Sequence, residues 1–263
     1  MSRYICVDIG GTSIKHGVLD ENAIIEESNQ TKTEAWLGGA EVLDKVKAIG
    51  KQYMEQYENI EGICISTAGM VDPEEGKIVF AGELMPDYTG TCIKKELEKT
   101  LGIPCEVEND VNCAGLAEYI SGAAKESHIM FCATVGTGIG GCAIVDGSVF
   151  HGASNSACEI GYIPMEDSDF QTLGASSILI KKVAGKKREP LDMWDGKKIF
   201  ELAEKGDEVC ISAIKEMCDV LGKGLATICY VLNPDTIVLG GGIMAQKKIL
   251  ENEIIDSLKR YLK

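Results

Sequence analysis

Two glycine-rich turns, Gly10-Gly11-Thr12 and Gly136-Thr137-Gly138, are built to hold an anion. Glycine lets the backbone come close to a ligand, and N–H groups freed at a tight turn can cradle phosphate. Each turn lies in the same kind of segment, 4–21 and 130–147: an apolar strand, the glycines, a second strand and an acidic tip. Neither turn feeds a helix along the chain. Such a duplicated unit predicts two similar halves facing one another across a cleft, with a nucleotide held between them.

Other nucleotide-binding patterns fit less well. The run 136–141, GTGIGG, formally matches G-x-G-x-x-G, but the dinucleotide reading requires a helix next. Here Cys142 to Val145 continue as strand, and Asp146-Gly147 signals a hairpin into Ser148 to Phe150. No G-x-x-x-x-G-K-[ST] occurs, which sets aside a P-loop NTPase.

The elements that must carry these turns alternate between strand and helix, so the class is α/β. Strands are predicted at 3–8, 14–19, 23–28, 62–66, 104–107, 128–135, 141–145, 148–150 and 236–239. Helices are predicted at about 39–57, near 92–101 with Thr91 as N-cap, from about Asp110, over 207–232 up to the stop at Asn233-Pro234, and over 246–262. No low-complexity linker divides the chain. The expected division is an N-terminal α/β lobe, 1–112, and a C-terminal α/β lobe, 113–263.

Composition narrows the functions. The chain has 263 residues, 45% hydrophobic, enough for a substantial core. Its formal charge of −15 disfavours nucleic acid, whose affinity comes largely from Lys and Arg meeting phosphates. The local basic cluster Lys181, Lys182, Lys186, Lys187 and Arg188 reads as a solvated helix end. Eleven cysteines occur singly with no C-x-x-C pair, as expected for a reducing compartment. No signal peptide or membrane-length apolar run is seen, so the expectation is a cytoplasmic protein with no membrane partner.

Five motifs then fall in order: Asp8 to Thr12 (DIGGT), Glu108 to Asn112 (ENDVN), Thr134 to Gly141 (TVGTGIGG), Glu159 to Gly161 (EIG) and Val238 to Ile243 (VLGGGI). In this order and spacing the chain resembles the ROK family of sugar kinases and sugar-responsive repressors. The resemblance implies the two-lobed actin/hexokinase-like (ribonuclease H-like) fold, with ATP and sugar in the cleft between lobes, and a homodimer. It implies that the backbone of Gly10, Gly11, Thr12, Gly136, Thr137 and Gly138 cradles the ATP phosphates. It places Gly240, Gly241 and Gly242 under the adenosine and gives Asp8 to Mg²⁺ through water. By the same resemblance Asp110 is the catalytic base, Asn109 and Glu159 bind sugar hydroxyls, and Gly69 lets the chain approach the cleft. A further strand and helix would follow the last helix; the sequence given stops at Tyr261-Leu262-Lys263.

The chain departs from the family at one place. The G-E-x-G-H pattern reads Cys158-Glu159-Ile160-Gly161-Tyr162 here, so two positions differ, and the cysteine-rich zinc cluster has no counterpart in 164–177. Ligand histidine and ligand cysteines are lost together, and a zinc site needs about four ligands. No structural zinc is expected, and the flat ring of Tyr162 offers a stacking face to a different or larger sugar. Glu83 and Tyr88, in the loop after Gly82, are expected to be solvent-exposed loop residues, with contact to the sugar as the alternative. The local residues alone also allow Asp110 to be only a helix N-cap and Asp8 a cap of its own turn. The reading favoured overall is an ATP-dependent kinase that phosphorylates the 6-hydroxyl of a hexose, amino sugar or glucoside. The alternative is a non-catalytic sugar-binding regulator of the same family. A repressor is disfavoured because only seven residues precede Asp8.

Overall fold

The computed structural model describes residues 1–263, which divide into two compact units. Unit 1 comprises Met1–Cys113 with Gly152–Ser156, and unit 2 comprises Ala114–His151 with Ala157–Lys263.

Unit 1 is built on strands β1 (Arg3–Ile9), β2 (Ser13–Asp20), β3 (Ile25–Lys32), β4 (Ile60–Thr67) and β7 (Cys105–Asn109), in the order β3-β2-β1-β4-β7. A small hairpin, β5 (Met70–Asp72) with β6 (Lys77–Phe80), follows β4. Period-two patterning decides the faces. Ile5, Val7, Ile9, Ile63 and Ile65 pack under helices α1 (Gly39–Gln56) and α2 (Ile93–Leu101), which contribute Val42, Val46, Tyr53, Ile93 and Leu97. Cys6, Asp8, Cys64 and Ser66 therefore alternate onto the opposite face. Helix α3 (Asp110–Ile120) starts at the residue that follows β7.

Unit 2 repeats the opening of unit 1. Strands β8 (Ile129–Val135) and β9 (Ile139–Val145) form a hairpin, β10 (Ser148–Val149) extends it, and β13 (Thr236–Gly240) pairs parallel to β8 as β4 pairs with β1. The two residues between β9 and β10, Asp146 (φ 48°) and Gly147 (φ 84°), take the left-handed pair of angles that the Asp-Gly signal predicts. A minor ribbon, β11 (Pro164–Met165) with β12 (Ser168–Asp169), leads to the helical layer. That layer holds α4 (Phe170–Gly174), α5 (Ser176–Lys187), α6 (Gly196–Glu204), α7 (Glu208–Leu232) and α8 (Lys247–Tyr261). At 25 residues α7 is about 37 Å long and forms the spine of this core. It is approached closely at two glycines: a Cβ on Gly224 would stand 2.3 Å from the Phe170 ring, and one on Gly222 2.2 Å from Ser257 Oγ.

Three expectations need correction. The third strand begins at Ile25 rather than 23, because Asp20 Oδ1 accepts from the N–H groups of Asn22 (2.9 Å) and Ile24 (2.8 Å) and folds those residues into a turn. Thr91 does not cap α2; Cys92 occupies that position without a side-chain cap. The β5–β6 hairpin, α5 and α6 were not predicted as elements. No helix is long and apolar enough to cross a membrane.

The start of α7 shows how charge fixes an end of the spine. Asp207 Oδ1 accepts from Val209 N and Cys210 N, both at 3.1 Å, while Oδ2 meets Lys187 Nζ. The lysine and the capped amides hold the Asp207 carboxyl at about 2, below its ordinary value of 3.8. A depressed carboxyl stabilises the fold above its unfolded pKa and loses that contribution as pH falls through the folded one. Asn caps a helix as well as Asp but cannot pair with lysine. Asp207→Asn should therefore lower the melting temperature at pH 7, and the gap should close as pH falls from about 4 to about 2; a gap independent of pH would show that the ion pair contributes nothing.

Candidate functional site

In unit 1 the parallel strands β1, β4 and β7 deliver their carboxyl ends to one edge of the sheet. The residues met there in turn are Asp8 with the Gly10 turn, Ser66 with Gly69, and Asn109 with Asp110. The register sets Asp8 beside Ser66 on one side and Lys15 on the other. Ser66 Oγ donates to Asp8 Oδ1 (2.8 Å), and Lys15 Nζ lies 3.7 Å from Asp8 Oδ2. Asp8 thus has partners on neighbouring strands, not in its own turn. Ser66 is a contact that a parallel register supplies and local sequence does not.

The Asn109 carboxamide organises the other side. Its Oδ1 accepts from Val111 N (2.8 Å) and Asn112 N (3.1 Å), so Asn109 is the cap of α3. Its Nδ2 donates to Gly69 O (2.9 Å) and to Asp110 Oδ1 (3.0 Å). All four hydrogen-bonding positions of the amide are therefore filled within unit 1. Glu108 Oε1 accepts from Asn109 N (2.6 Å) and Asn112 Nδ2 (2.9 Å), locking the same corner. Gly69 has φ 102°, and a Cβ there would meet Phe80 O at 2.7 Å, so the chain can pass only as glycine.

Asp110 is the first residue of α3 and is exposed at its surface. Val111 N (2.9 Å) and Asn109 Nδ2 both donate to its Oδ1; Oδ2 accepts from neither. The residue reaches solvent, yet the protein atoms crowded around its carboxylate partly desolvate it, and the charge of Asp8 adds to the effect, so the Asp110 carboxyl lies above the ordinary aspartate value of 3.8. A carboxylate held above its usual range beside a second carboxylate is suited to accept a proton.

The first glycine turn closes on itself: Gly10 N donates to Ser13 O (3.1 Å). Thr33, wholly buried, ties the turn to the chain beyond β3, donating from N to Thr12 O (3.1 Å) and from Oγ1 to Gly10 O (2.6 Å). A Cβ on Gly11 would meet nothing within 4 Å, and Thr12 is exposed.

Unit 2 brings its own motifs together around the second turn. Gly136 N donates to Gly138 O (2.9 Å), and Thr137 is exposed at the tip. The start of α5 braces this turn: Ser176 N (3.0 Å) and Oγ (2.6 Å) donate to Gly136 O, and Ser177 Oγ donates to Thr137 O (2.6 Å). A helix N-terminus thus lies against a turn that no helix follows in sequence. Gly240 pairs with Thr134, and Gly241, at φ 98°, passes so close that a Cβ would stand 2.2 Å from Val135 O. Gln171 links the turn to the Glu159 segment: its Oε1 would meet a Cβ at Gly138 (2.8 Å) and at Gly161 (3.1 Å). Glu159 is half-buried, Tyr162 is exposed, and Cys158 holds φ 67°, an uncommon angle for a residue with a side chain.

Tyr88 is not a surface contact. It is 1% exposed, and its hydroxyl shares a hydrogen bond with buried Thr67 Oγ1 (2.7 Å). Burial pushes this hydroxyl up to about 12. The ring belongs to the unit 1 core, which sequence reading missed because the loop around it is rich in Gly, Pro and Asp. Ser66, Thr33, Gln171 and the α5 serines were also missed; each acts through a long-range bond that leaves no local pattern.

The ROK family model matches residues 4–263. A β-glucoside kinase of Klebsiella pneumoniae is 31% identical over 94% of this chain and 84% of its own. A ROK family glucokinase from Streptomyces griseus, solved with glucose and AMPPNP, is 27% identical with a TM-score of 0.83, covering 99% of this chain and 90% of that one. A ROK family protein from Streptococcus pneumoniae, solved with sucrose, is 28% identical with a TM-score of 0.86 over 98% and 86%. The chain therefore belongs to the ROK family and has its actin/hexokinase-like fold.

Proposed function

We propose that this protein is an ATP-dependent sugar kinase that transfers the γ-phosphoryl group to a primary hydroxyl, the 6-hydroxyl of a hexose, amino sugar or glucoside. The observation that carries the reading is Asp110: a carboxylate with one oxygen fixed by Val111 N and Asn109 Nδ2, a raised pKa, and Asp8 near enough to contribute to it. Phosphoryl transfer to an alcohol needs little from the protein except positioning, charge neutralisation and a group to take the hydroxyl proton. Asp110 would take that proton on Oδ2.

The remaining roles follow from the bonds already made. Gly10 and Gly136 use their N–H groups to close their turns, so the amides offered to phosphate would be those of Gly11, Thr12, Thr137 and Gly138. Gly240, Gly241 and Gly242 would pass beneath the adenosine. Asp8, braced by Ser66 and weakly opposed by Lys15, is a single carboxylate of the kind that holds Mg²⁺ through water beside phosphates. When bound, the ion would neutralise charge on the transferring group. Asn109 would bind a sugar hydroxyl only by exchanging one of its four bonds; releasing one made by Nδ2 would free an N–H to donate to the hydroxyl oxygen. Glu159 and Tyr162 would complete the sugar contacts. The β-glucoside kinase and the glucose- and sucrose-bound structures support a carbohydrate acceptor.

A coupled assay of ADP release with Mg-ATP across a panel of sugars and glycosides tests the proposal. Asp110→Asn should lower kcat by about 10²- to 10⁴-fold, the usual worth of a general base, while leaving sugar affinity within a few-fold. Normal turnover by that variant would end the assignment. Because Asp110 must be ionised to act and its carboxyl is raised, the acid limb of kcat/KM should fall above the ordinary aspartate range of about 4. An acid limb at or below that range would place the proton elsewhere.

A further inference from the structure

Cys6 and Cys64 stand directly opposite one another in the unit 1 sheet. Strand β1 pairs parallel with β4, and the register sets Cys6 beside Cys64 as it sets Asp8 beside Ser66. Side chains alternate along a strand, so both thiols leave the sheet on the face away from Ile5, Val7, Ile63 and Ile65. Paired strands lie about 4.8 Å apart, and disulfides join Cα atoms separated by about 4.4 to 6.8 Å. The two sulfurs are already in contact, the Cys6 thiol donating a hydrogen bond to the Cys64 sulfur. That bond favours the Cys64 thiolate and holds its thiol below the ordinary cysteine value of 9.0, while the Cys6 proton is held more tightly than usual. The thiolate is the nucleophilic form of cysteine.

Access separates this pair from the other cysteines. Of the eleven, Cys64 alone is exposed, and Cys6 beside it is half-buried. A second pair set opposite by register, Cys132 on β8 and Cys142 on β9, is buried. Apolar packing explains that pair, because a buried thiol behaves as a small hydrophobe. It does not explain an exposed thiol with a sulfur donor. On its other side Cys64 faces Glu106 of β7, whose carboxylate is held by Lys94 Nζ (3.1 and 3.2 Å). Cys113 of α3 stands by Ser66, but the thiols and carboxylates here form no metal-binding group. Exchange between sulfurs is the chemistry left to the pair. Side chains on facing parallel strands stand about as far apart as the strands, beyond the roughly 3.5–4.5 Å that a relaxed disulfide sets between Cβ atoms. A bond closed there is strained and easily reduced, which fits reversible exchange and not a permanent cross-link.

We propose that Cys64 and Cys6 form a thiol–disulfide exchange site, at which Cys64 takes up one half of a small-molecule disulfide and Cys6 releases it by closing a Cys6–Cys64 bond. In the first step the Cys64 sulfur attacks one sulfur of the disulfide RS–SR. That S–S bond breaks, and the departing RS⁻ takes up the proton that Cys64 has lost. In the second step Cys6 gives its proton to solvent and attacks the Cys64 sulfur. The Cys64–SR bond breaks, and the second RS⁻ leaves and is protonated. Two protein thiols are oxidised and RS–SR is reduced to two RSH. Once Cys64 carries R it no longer holds the Cys6 proton as a thiolate does, so the first step readies the second. The site does not depend on the sugar-kinase reading, yet it lies two residues before Asp8 and Ser66 on the same two strands, next to their hydrogen bond.

The test treats pre-reduced wild type, Cys6→Ser and Cys64→Ser with 2-hydroxyethyl disulfide at neutral pH under native conditions. Intact mass is read with time, and disulfide-linked peptides are mapped after free thiols are alkylated. Wild type should lose the mass of two hydrogens, with Cys6 joined to Cys64, and should return to the dithiol on adding a reductant. Cys6→Ser should stop at a mixed disulfide on Cys64. Cys64→Ser should react at least about 10-fold more slowly, having lost the exposed thiolate. Cys132 and Cys142 should remain free thiols throughout. No reaction, a mixed disulfide on wild-type Cys64 that never resolves, or a bond from either cysteine to Cys113 would overturn the proposal. So would modification of Cys132 or Cys142 as fast as Cys64, since register and exposure would then confer no selectivity. The wild-type map decides the case even where a serine variant fails to fold.

Discussion

The carboxamide of Asn109 is the constraint on which the unit 1 site depends. One side chain ends β7, caps α3, holds the Gly69 carbonyl and fixes an oxygen of Asp110. A carboxylate at the first turn of a helix would ordinarily cap it or interact with its dipole, and would gain stability by doing so. Asn109 takes the capping position, which relieves Asp110 of that duty. The carboxylate is left with an oriented Oδ1 and an Oδ2 outside those bonds. Replacing Asn109 with a residue that caps but cannot donate, such as Asp, would put a third carboxylate beside Asp8 and Asp110 and raise the cost of ionising any of them.

The second constraint is repetition. A hairpin with a parallel strand beside it appears as β1, β2 and β4 in unit 1 and as β8, β9 and β13 in unit 2. In both, the first strand ends in a glycine turn closed by its first residue. The supports differ. Thr33 holds the first turn by two bonds from the chain after β3, whereas the second is held by Ser176 and Ser177 at the head of α5. Unit 2 thereby sets a helix N-terminus, with its partial positive charge, against the second glycine turn. Gly241 completes this side, since only a residue without a side chain can lie that close to Val135 O.

Most of the fold was legible because it rests on short-range signals. The apolar alternation of Ile5, Val7 and Ile9, the Asp146-Gly147 turn and the Asn233-Pro234 stop each act within a few residues. The parallel register of β1 and β4 was not legible, and it brings Ser66 to Asp8. Loop composition misled in the case of Tyr88: the polar and turn-forming neighbours suggested exposure, while the buried hydroxyl of Thr67 gave the ring a partner inside. The hairpin β5–β6 was hidden for a similar reason, its strands being three and four residues long. At the site, residue types were readable and their bonds were not. Nothing in the run ENDVN shows that Asn109 would be saturated and that two donors would fix Oδ1 of Asp110.

Tyr88 and Trp36 make the last point together, because they are large rings on loops joined by the Gly39–Pro86 bond. Burying Tyr88 removes its apolar area from water and satisfies its one polar group, so its position is explained by stability. Trp36 gains neither. The segment that carries it is fixed at Thr33, Glu34, Gly38 and Gly39, so the ring cannot be dismissed as the tip of a loose loop. Ordering this surface loop costs conformational entropy, and its bonds to Gly10, Thr12, Lys45 and Pro86 offset that cost whatever the exposed indole does.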